Sequence, residues 1–374
     1  QEDIPMRTMK IGIVGCGSIS GIYLKNLTYR YKEVEIIGVC DLIRERAEKA
    51  VEEYKIPKLY EDMYELFADP DVDIVLNLTR PYEHFGVTSE ALKAGKHVYS
   101  EKPLGATLEE GRELIALAKE KNLLIGGAPD TFMGAGIQTC RKLMDDGYIG
   151  TPVGASAFMV CHGHETWHPD PEFYYKFGGG PMMDMGPYYL TALVNLLGAV
   201  ASISGMTKST FSQRTITSEP HYGEIVDVDV PTYITGMMQF ACGAIGTIFT
   251  TFDVYKAEMP WIEIYGSQGT LSVPDPNGFG GPVRLYRPEE GRFYDIPLTF
   301  GYADNSRGMG LADMAKAIQT GRNFRASSDI TFHVLEIMTG FQRSQEQGRH
   351  IALESRPSRP APMLRHELEG IFEV

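Results

Sequence analysis

The first groups whose types and spacing can do chemistry are two glycines and a distant aspartate. Lys10-Ile11-Gly12-Ile13-Val14 reads as a strand, Gly15-Cys16-Gly17-Ser18-Ile19-Ser20 follows without a gap, and Ile19, Tyr23 and Leu27 then repeat at helical spacing. A strand that turns on glycines into a helix presents bare backbone N–H groups at the positive end of the helix dipole, a place that attracts phosphate. Gly15 permits the tight turn, Gly17 lets the backbone approach a pyrophosphate, and Ser18 and Ile19 open the helix beside it. The third glycine position holds Ser20, with Gly21 next to it. Asp41 closes the second β-rich run, where a carboxylate binds the ribose hydroxyls of a dinucleotide. An acid there repels a 2′-phosphate, so NAD is expected ahead of NADP, with Arg44 and Arg46 close enough to soften that preference.

Two further stretches carry acid–base groups. Glu101 and Lys102 follow the run His97-Val98-Tyr99-Ser100, and Asp184 and Tyr188 follow the glycine-rich Gly178-Gly179-Gly180. Asp184 and Tyr188 are spaced to share one helix face, with a break or restart expected at Gly186-Pro187. Taken singly, a lysine after a strand is ordinarily a solvated end and an aspartate near a helix start ordinarily a cap. Trp167, His168, Tyr174 and Tyr175 precede the glycine-rich loop and offer aromatic faces with polar tips for a sugar ring. Asp130, Thr131, Asn305 and Arg307 are further substrate candidates in loops. The stretch Cys161 to Asp170 invites a metal reading, but its spacing is neither HExxH nor a facial triad, and no metal is expected.

The elements that must position these groups fall into two styles. From Met9 to about Asp130, β-rich runs (Lys10 to Val14, Val34 to Cys40, Asp73 to Thr79, His97 to Ser100, Leu123 to Gly126) alternate with amphipathic stretches, which predicts a parallel sheet with crossover helices. Thr107 and Glu110 form a capping box ahead of one of them. Beyond Pro152, runs such as Tyr233 to Phe240 and Ala244 to Phe252 follow one another without helices, as do runs near Val153 to Cys161, Trp261 to Tyr265, Thr270 to Val273 and Val283 to Tyr286. They predict a large, open, mostly antiparallel sheet. A last helix is expected from Ile330 to about Gln347, and the proline-bearing tail from Glu354 is expected to drape over the surface.

At 374 residues the chain exceeds one hydrophobic core, and the expected division is 9–130, 131–353 and a tail at 354–374. A formal net charge of -14 disfavours nucleic acid. Five scattered cysteines without a CxxC pair argue against a disulfide framework. No run is apolar enough for a membrane span, and Gln1 to Thr8 lack the apolar core of a signal peptide and read as a disordered start. Cytoplasmic residence is the expectation.

The stretches 97–103 and 178–188 resemble the EKP and D-x-G-x-H signatures of the glucose-fructose oxidoreductase, inositol dehydrogenase and rhizopine-catabolism (Gfo/Idh/MocA) family. The fingerprint at Gly15, the Thr79-Arg80-Pro81-Tyr82-Glu83-His84 loop and the Gly266-Ser267-Gln268-Gly269-Thr270-Leu271 turn extend the resemblance over nearly the whole chain. It implies an N-terminal Rossmann domain and a C-terminal α+β domain whose open sheet makes a homodimer or homotetramer. It implies that Lys102 lies beside the nicotinamide, that Asp184 holds substrate or its acid–base partner, and that Thr79, Pro81, His84 and Glu101 support the cofactor. The implied activity is hydride transfer between NAD(P) and a hydroxyl carbon of a sugar, sugar derivative or polyol. Turning a carbinol into a carbonyl needs a group to take the hydroxyl proton and a cation to favour the alkoxide. Where most relatives carry histidine this chain has Tyr188, as some relatives do, so either Tyr188 or Lys102 carries the proton. Other activities within the resemblance are NAD-retaining glycoside cleavage or epimerisation, and dinucleotide sensing without catalysis.

Overall fold

The computed structural model describes residues 7–364. The expectation for the extreme N-terminus lies mostly outside the described residues, as does that for positions 365–374 of the tail.

Six short strands form the first sheet: β1 (Met9–Val14), β2 (Val34–Cys40), β3 (Lys58–Leu59), β4 (Ile74–Asn77), β5 (His97–Ser100) and β6 (Ile125–Gly127). Helices α1 (Ser20–Tyr29), α2 (Arg44–Tyr54), α3 (Met63–Ala68), α4 (His84–Lys93) and α5 (Leu108–Lys121) connect them. All pairings are parallel, in the order β3-β2-β1-β4-β5-β6. β1 and β4 are almost wholly buried, as strands covered on both faces must be. The order reverses direction between β1 and β4, which opens a crevice at the carboxyl ends of the strands. The capping box is present: Thr107 Oγ1 accepts from Glu110 N at 3.1 Å and Glu110 Oε2 accepts from Thr107 N at 3.4 Å.

After α6 (Ala135–Asp145) comes the second sheet, entered by β7 (Pro152–Val160). Helix α7 (Pro181–Leu197) leads to β8 (Val200–Lys208), the short ribbon β9 (Gln213–Thr215) and β10 (Ile225–Asp227), then β11 (Tyr233–Phe240), β12 (Ile245–Thr251), β13 (Ile262–Gly266), β14 (Thr270–Val273), β15 (Val283–Arg287) and β16 (Arg292–Ile296). Helices α8 (Met309–Thr320) and α9 (Ser328–Gln347) precede β17 (Ile351–Ala352). The nine-stranded order is β16-β15-β14-β13-β7-β12-β11-β8-β17. Its pairings are antiparallel except for β7 beside β12. Burial alternates along β11, and α7 and α9 cover the buried face.

Two expectations need correction. Helix α7 runs through Gly186 and Pro187 without a break. Pro187 removes one backbone donor, but every residue from Gly186 to Leu197 is buried, and that packing outweighs the roughly 3 kcal/mol of an interior proline. The tail does more than drape. Arg141 donates to the Pro360 carbonyl and Arg325 to those of Ala361 and Pro362, while Met363 is buried. α6, α8 and strands such as β8, rich in Gly and Ser, went unread in the sequence.

The last third of the chain also returns to the first sheet. α8 and α9 pack on β6, Gly126 bridges Ser327, and Asn26 Nδ2 donates to the carbonyls of Asn305 and Arg307 at 3.0 and 2.8 Å.

Candidate active site

The first half of the site is made of backbone. Gly15 sits at φ +99°, and a side chain there would put its Cβ 2.8 Å from the Leu78 carbonyl oxygen, so the turn admits only glycine. A Cβ at Gly17 meets no protein atom within 4 Å, so the space before it is open to a ligand. α1 starts without a side-chain cap, its first N–H, that of Ser20, donating to the Gly17 carbonyl at 3.1 Å. Asp41 is fixed at the end of β2 by Cys16 N at 2.6 Å and Ile43 N at 2.7 Å.

Two loops continue the wall. Asn77 Oδ1 accepts from the Thr79 hydroxyl at 2.6 Å, holding the start of the 79–84 loop. His84 is buried, with Nδ1 2.8 Å from the Pro103 carbonyl and Nε2 3.0 Å from that of Thr79. Burial pushes its pKa down, and the neutral ring donates to one of the two. The ring thus sits between the 79–84 loop and the loop that carries Lys102. Glu101 accepts from the Tyr23 hydroxyl at 2.7 Å and from Lys102 N at 3.0 Å.

The second half is made of side chains from distant elements. Lys102 Nζ donates to Asp184 Oδ1 at 2.6 Å and to the Asp184 backbone carbonyl at 2.7 Å. His164 Nε2 lies 3.3 Å from Asp184 Oδ2, so the carboxylate is gripped from both sides. Burial works against both charges of the Lys102–Asp184 pair, yet mutual attraction wins, holding the ammonium above its usual range and the carboxyl well below its own. One turn along α7, Tyr188 is buried, with Lys102 Nζ 5.3 Å from its ring centroid and the Arg307 guanidinium carbon 5.9 Å from it. Burial raises the Tyr188 pKa, and Lys102 and Arg307 pull the other way.

Apart from the bracing residues Asn77, Tyr23 and Pro103, these groups line one cleft of about 2330 Å³. A single small-molecule site occupies roughly 300–1,000 Å³, so the cleft has room for a dinucleotide and a second small molecule. Its lining includes Gly15, Gly17, Ser18, Ile19, Asp41, Thr79, Pro81, His84 and Glu101 from the first half of the chain and Trp167, His168, Tyr174, Asp184, Tyr188 and Arg307 from the second, with Lys102 paired to Asp184. Trp167 is 61% exposed at the rim. Arg80 of the first wall pairs with Asp170 of the second, and its guanidinium lies 5.8 Å from the Phe173 ring. The residues therefore fit NAD: the open cradle at Gly17 runs continuously to the Lys102 ammonium.

Four substrate candidates fall outside the cleft lining: Asp130, Thr131, Tyr175 and Asn305. Asp130 is buried away from the cleft, where Oδ2 accepts from Gly308 N at 2.9 Å and Gly310 N at 3.1 Å. It ties the start of α8 to the first sheet, because two backbone donors there need an acceptor. Thr131 is buried beside it, and Tyr175 turns inward to Glu165. His164, within the 161–170 stretch, and Asn277 were not singled out in the sequence, since only tertiary proximity reveals them. Among the described residues no group of three His, Cys, Asp or Glu side chains is placed to hold a metal ion, and no helix is long and apolar enough to cross a membrane.

Comparison with known proteins gives two family matches. Residues 9–127 match the oxidoreductase family described as an NAD-binding Rossmann fold, and residues 137–272 match the GFO/IDH/MocA C-terminal domain. The myo-inositol 2-dehydrogenase of Thermotoga maritima is 24% identical over 288 residues, covering 74% of this chain and 82% of that protein. The D-xylose dehydrogenase of Paenarthrobacter nicotinovorans is 27% identical over 271 residues, 70% of this chain and 68% of that one. A levoglucosan dehydrogenase in complex with NADH and levoglucosan has the same fold, with a TM-score of 0.77 at 19% identity over 93% of this chain and 100% of that one.

Proposed function

From the premise that this chain belongs to the GFO/IDH/MocA oxidoreductase family, we propose that it is an NAD-dependent dehydrogenase that interconverts a hydroxyl and a carbonyl on a sugar, sugar derivative or polyol. The observation that carries the reading is the convergence of Lys102, Asp184 and Tyr188, from two different sheets' elements, in the same cleft that Gly15, Gly17 and Asp41 line. Relatives named for inositol and xylose support the substrate class.

When bound, NAD supplies the hydride acceptor or donor. Gly15, Gly17 and the start of α1 would hold its diphosphate and Asp41 its ribose, which favours NAD over NADP. Thr79, Pro81, His84 and Glu101 would shape the seat of the nicotinamide end. Lys102, kept charged by Asp184, is a poor proton shuttle and a good electrostatic partner for the reacting oxygen. Tyr188 then carries the proton at its hydroxyl, with the phenol as its resting form. Trp167, His168 and Tyr174 would flank the sugar ring.

The division at 130 and 353 and the cytoplasmic setting, with all five cysteines free, belong to the same reading. So does self-association through the open sheet face, where Met206, Met237 and Ile245 are exposed. Light scattering on the purified protein checks the last. The main test incubates the protein with NAD and a panel of aldoses, ketoses, sugar acids and inositols while following reduced nicotinamide. Net reduction with at least one of them is expected; turnover that leaves no reduced cofactor would count for a cofactor-retaining reaction instead.

A further inference from the structure

Lys102 and Arg307 are the two cations beside Tyr188, and they differ in one respect. The Lys102 ammonium is bound to a carboxylate at 2.6 Å. Arg307 is held only by neutral oxygens: Nη1 donates to Asn305 Oδ1 at 2.9 Å, and Nη2 to Asn277 Oδ1 at 2.6 Å and to the Asn277 carbonyl at 3.3 Å. Among the described residues no carboxylate lies within ion-pair distance of it. Two acids act on it only through space, Asp275, which also accepts from Asn277 N at 2.9 Å, and the buried Asp130. The Phe279 ring, 5.8 Å from the guanidinium carbon, backs Arg307. Two side-chain amides thus fix the guanidinium in place without neutralising it, where aspartates would have done both.

We propose that Arg307 is a positioning residue for proton transfer at Tyr188, supplying a positive charge with no carboxylate at contact, which adds to that of Lys102 in making a transient phenolate at Tyr188 accessible inside a buried site. The inference rests on the reading of Tyr188 as the proton carrier. In the reducing direction the Tyr188 Oη–H bond breaks as the substrate O–H bond forms, and the phenolate regains its proton from water. In the oxidising direction the same proton moves back. No electrons change owner in this step.

The groups facing Tyr188 give the arrangement its logic. Glu101 and Lys102 approach from the loop after β5, Arg307 from the loop before α8, Tyr174 from the loop before α7, and Asp184 from its own helix. Lys102 and Asp184 offset one another as an ion pair. Glu101 opposes a phenolate, and burial does too. Arg307, with no carboxylate at contact, adds its charge to that of Lys102 in opposing them.

The test uses Arg307→Gln, Arg307→Lys and Asn277→Asp in the full chain, with two readouts. The first is kcat and KM against pH with whichever sugar the panel identifies. The second is the ionisation midpoint of Tyr188 in the purified protein, read by NMR of ring-labelled tyrosine and assigned with Tyr188→Phe. Arg307→Gln is expected to lower kcat by about 10- to 100-fold with little change in KM, a fraction of what a whole acid–base group contributes. It should raise the Tyr188 midpoint by about one pH unit. Arg307→Lys should restore most of both. Asn277→Asp keeps the guanidinium and its packing but sets a carboxylate against it, and should reproduce the Arg307→Gln behaviour.

An unmoved Tyr188 midpoint in both Arg307→Gln and Asn277→Asp overturns the inference, and so does a loss confined to KM or to acidic sugars, which would make Arg307 a reader of substrate. Should Arg307→Gln fail to fold, Asn277→Asp carries the test. Full activity of Tyr188→Phe would instead sink the reading beneath it, a separate result from an unmoved midpoint.

Discussion

The two halves of the cleft are built on opposite plans. Where the dinucleotide is proposed to lie, the wall is backbone: a glycine at positive φ, an open cradle at Gly17, an uncapped helix start, and side chains such as Asn77 and His84 that brace loops. Where substrate is proposed to lie, the wall is side chain, gathered from the loops after β5, β7 and β14, from α7 and from the loop before α8. A backbone wall recognises what every dinucleotide shares and resists substitution. A side-chain wall can be rewritten one residue at a time, in keeping with one fold serving proteins named for inositol, xylose and levoglucosan.

The contrast can be broken most forcefully at Lys102, where the halves meet. Lys102→Ala should cut kcat by about 10³-fold or more while NAD affinity changes only a few-fold. Undiminished turnover with the best substrate would remove Lys102 from the chemistry. A paired comparison at the glycines comes next. Gly15→Ala should lower the melting temperature, through a strained backbone worth roughly 1–3 kcal/mol. Gly17→Ala should leave melting untouched yet weaken NAD by about 10-fold or more, the new methyl standing where pyrophosphate must approach. If both variants lost stability alike, the open cradle would not be a ligand seat. Asp41→Ala should weaken NAD by about 10-fold, as the loss of a charged hydrogen bond does, and NADP less; equal weakening of the two would contradict the ribose role.

The smallest effect belongs to Asp130. Burial raises its pKa to about 6 in the fold from an ordinary 3.8. An acid whose folded pKa is raised costs stability as pH climbs from about 4 to about 6, because ionisation is then easier in the unfolded chain, and the full cost persists above that. Asp130→Asn keeps an oxygen for Gly308 N and Gly310 N. It should therefore melt at least as high as the parent at pH 7.5, with the advantage shrinking towards pH 4.5, and turn over substrate within about two-fold of the parent, as substitutions away from a site do. A marked rise in KM would return Asp130 to the substrate site.

What the sequence disclosed follows the same division. The fingerprint at Gly15 and Asp41 was legible because its parts are a strand, a turn and a helix that are neighbours in the chain. The parallel sheet and the large mixed sheet were legible from the change in rhythm near Pro152. Lys102, Asp184 and Tyr188 stood out through their motifs, though nothing local says that their side chains meet. His164 and Asn277 carried no local signal at all, because their importance lies in which distant residues they touch. Asp130 misled for a related reason: a polar residue in a loop between sheets looks available to solvent until α8, far along the chain, packs over it. Pro187 misled because propensity reads a helix alone, whereas α7 is held by everything around it.

The return of residues 305–347 to the first sheet bears on any attempt to exchange parts of this molecule. A fragment cut after position 130 would end on paper at a boundary, but β6 would lose α8 and α9, and Asp130 would be left without the two amides it serves. A graft that aims to give this nucleotide half a different substrate half must therefore carry the distal helices along with it, splicing the chain twice rather than once.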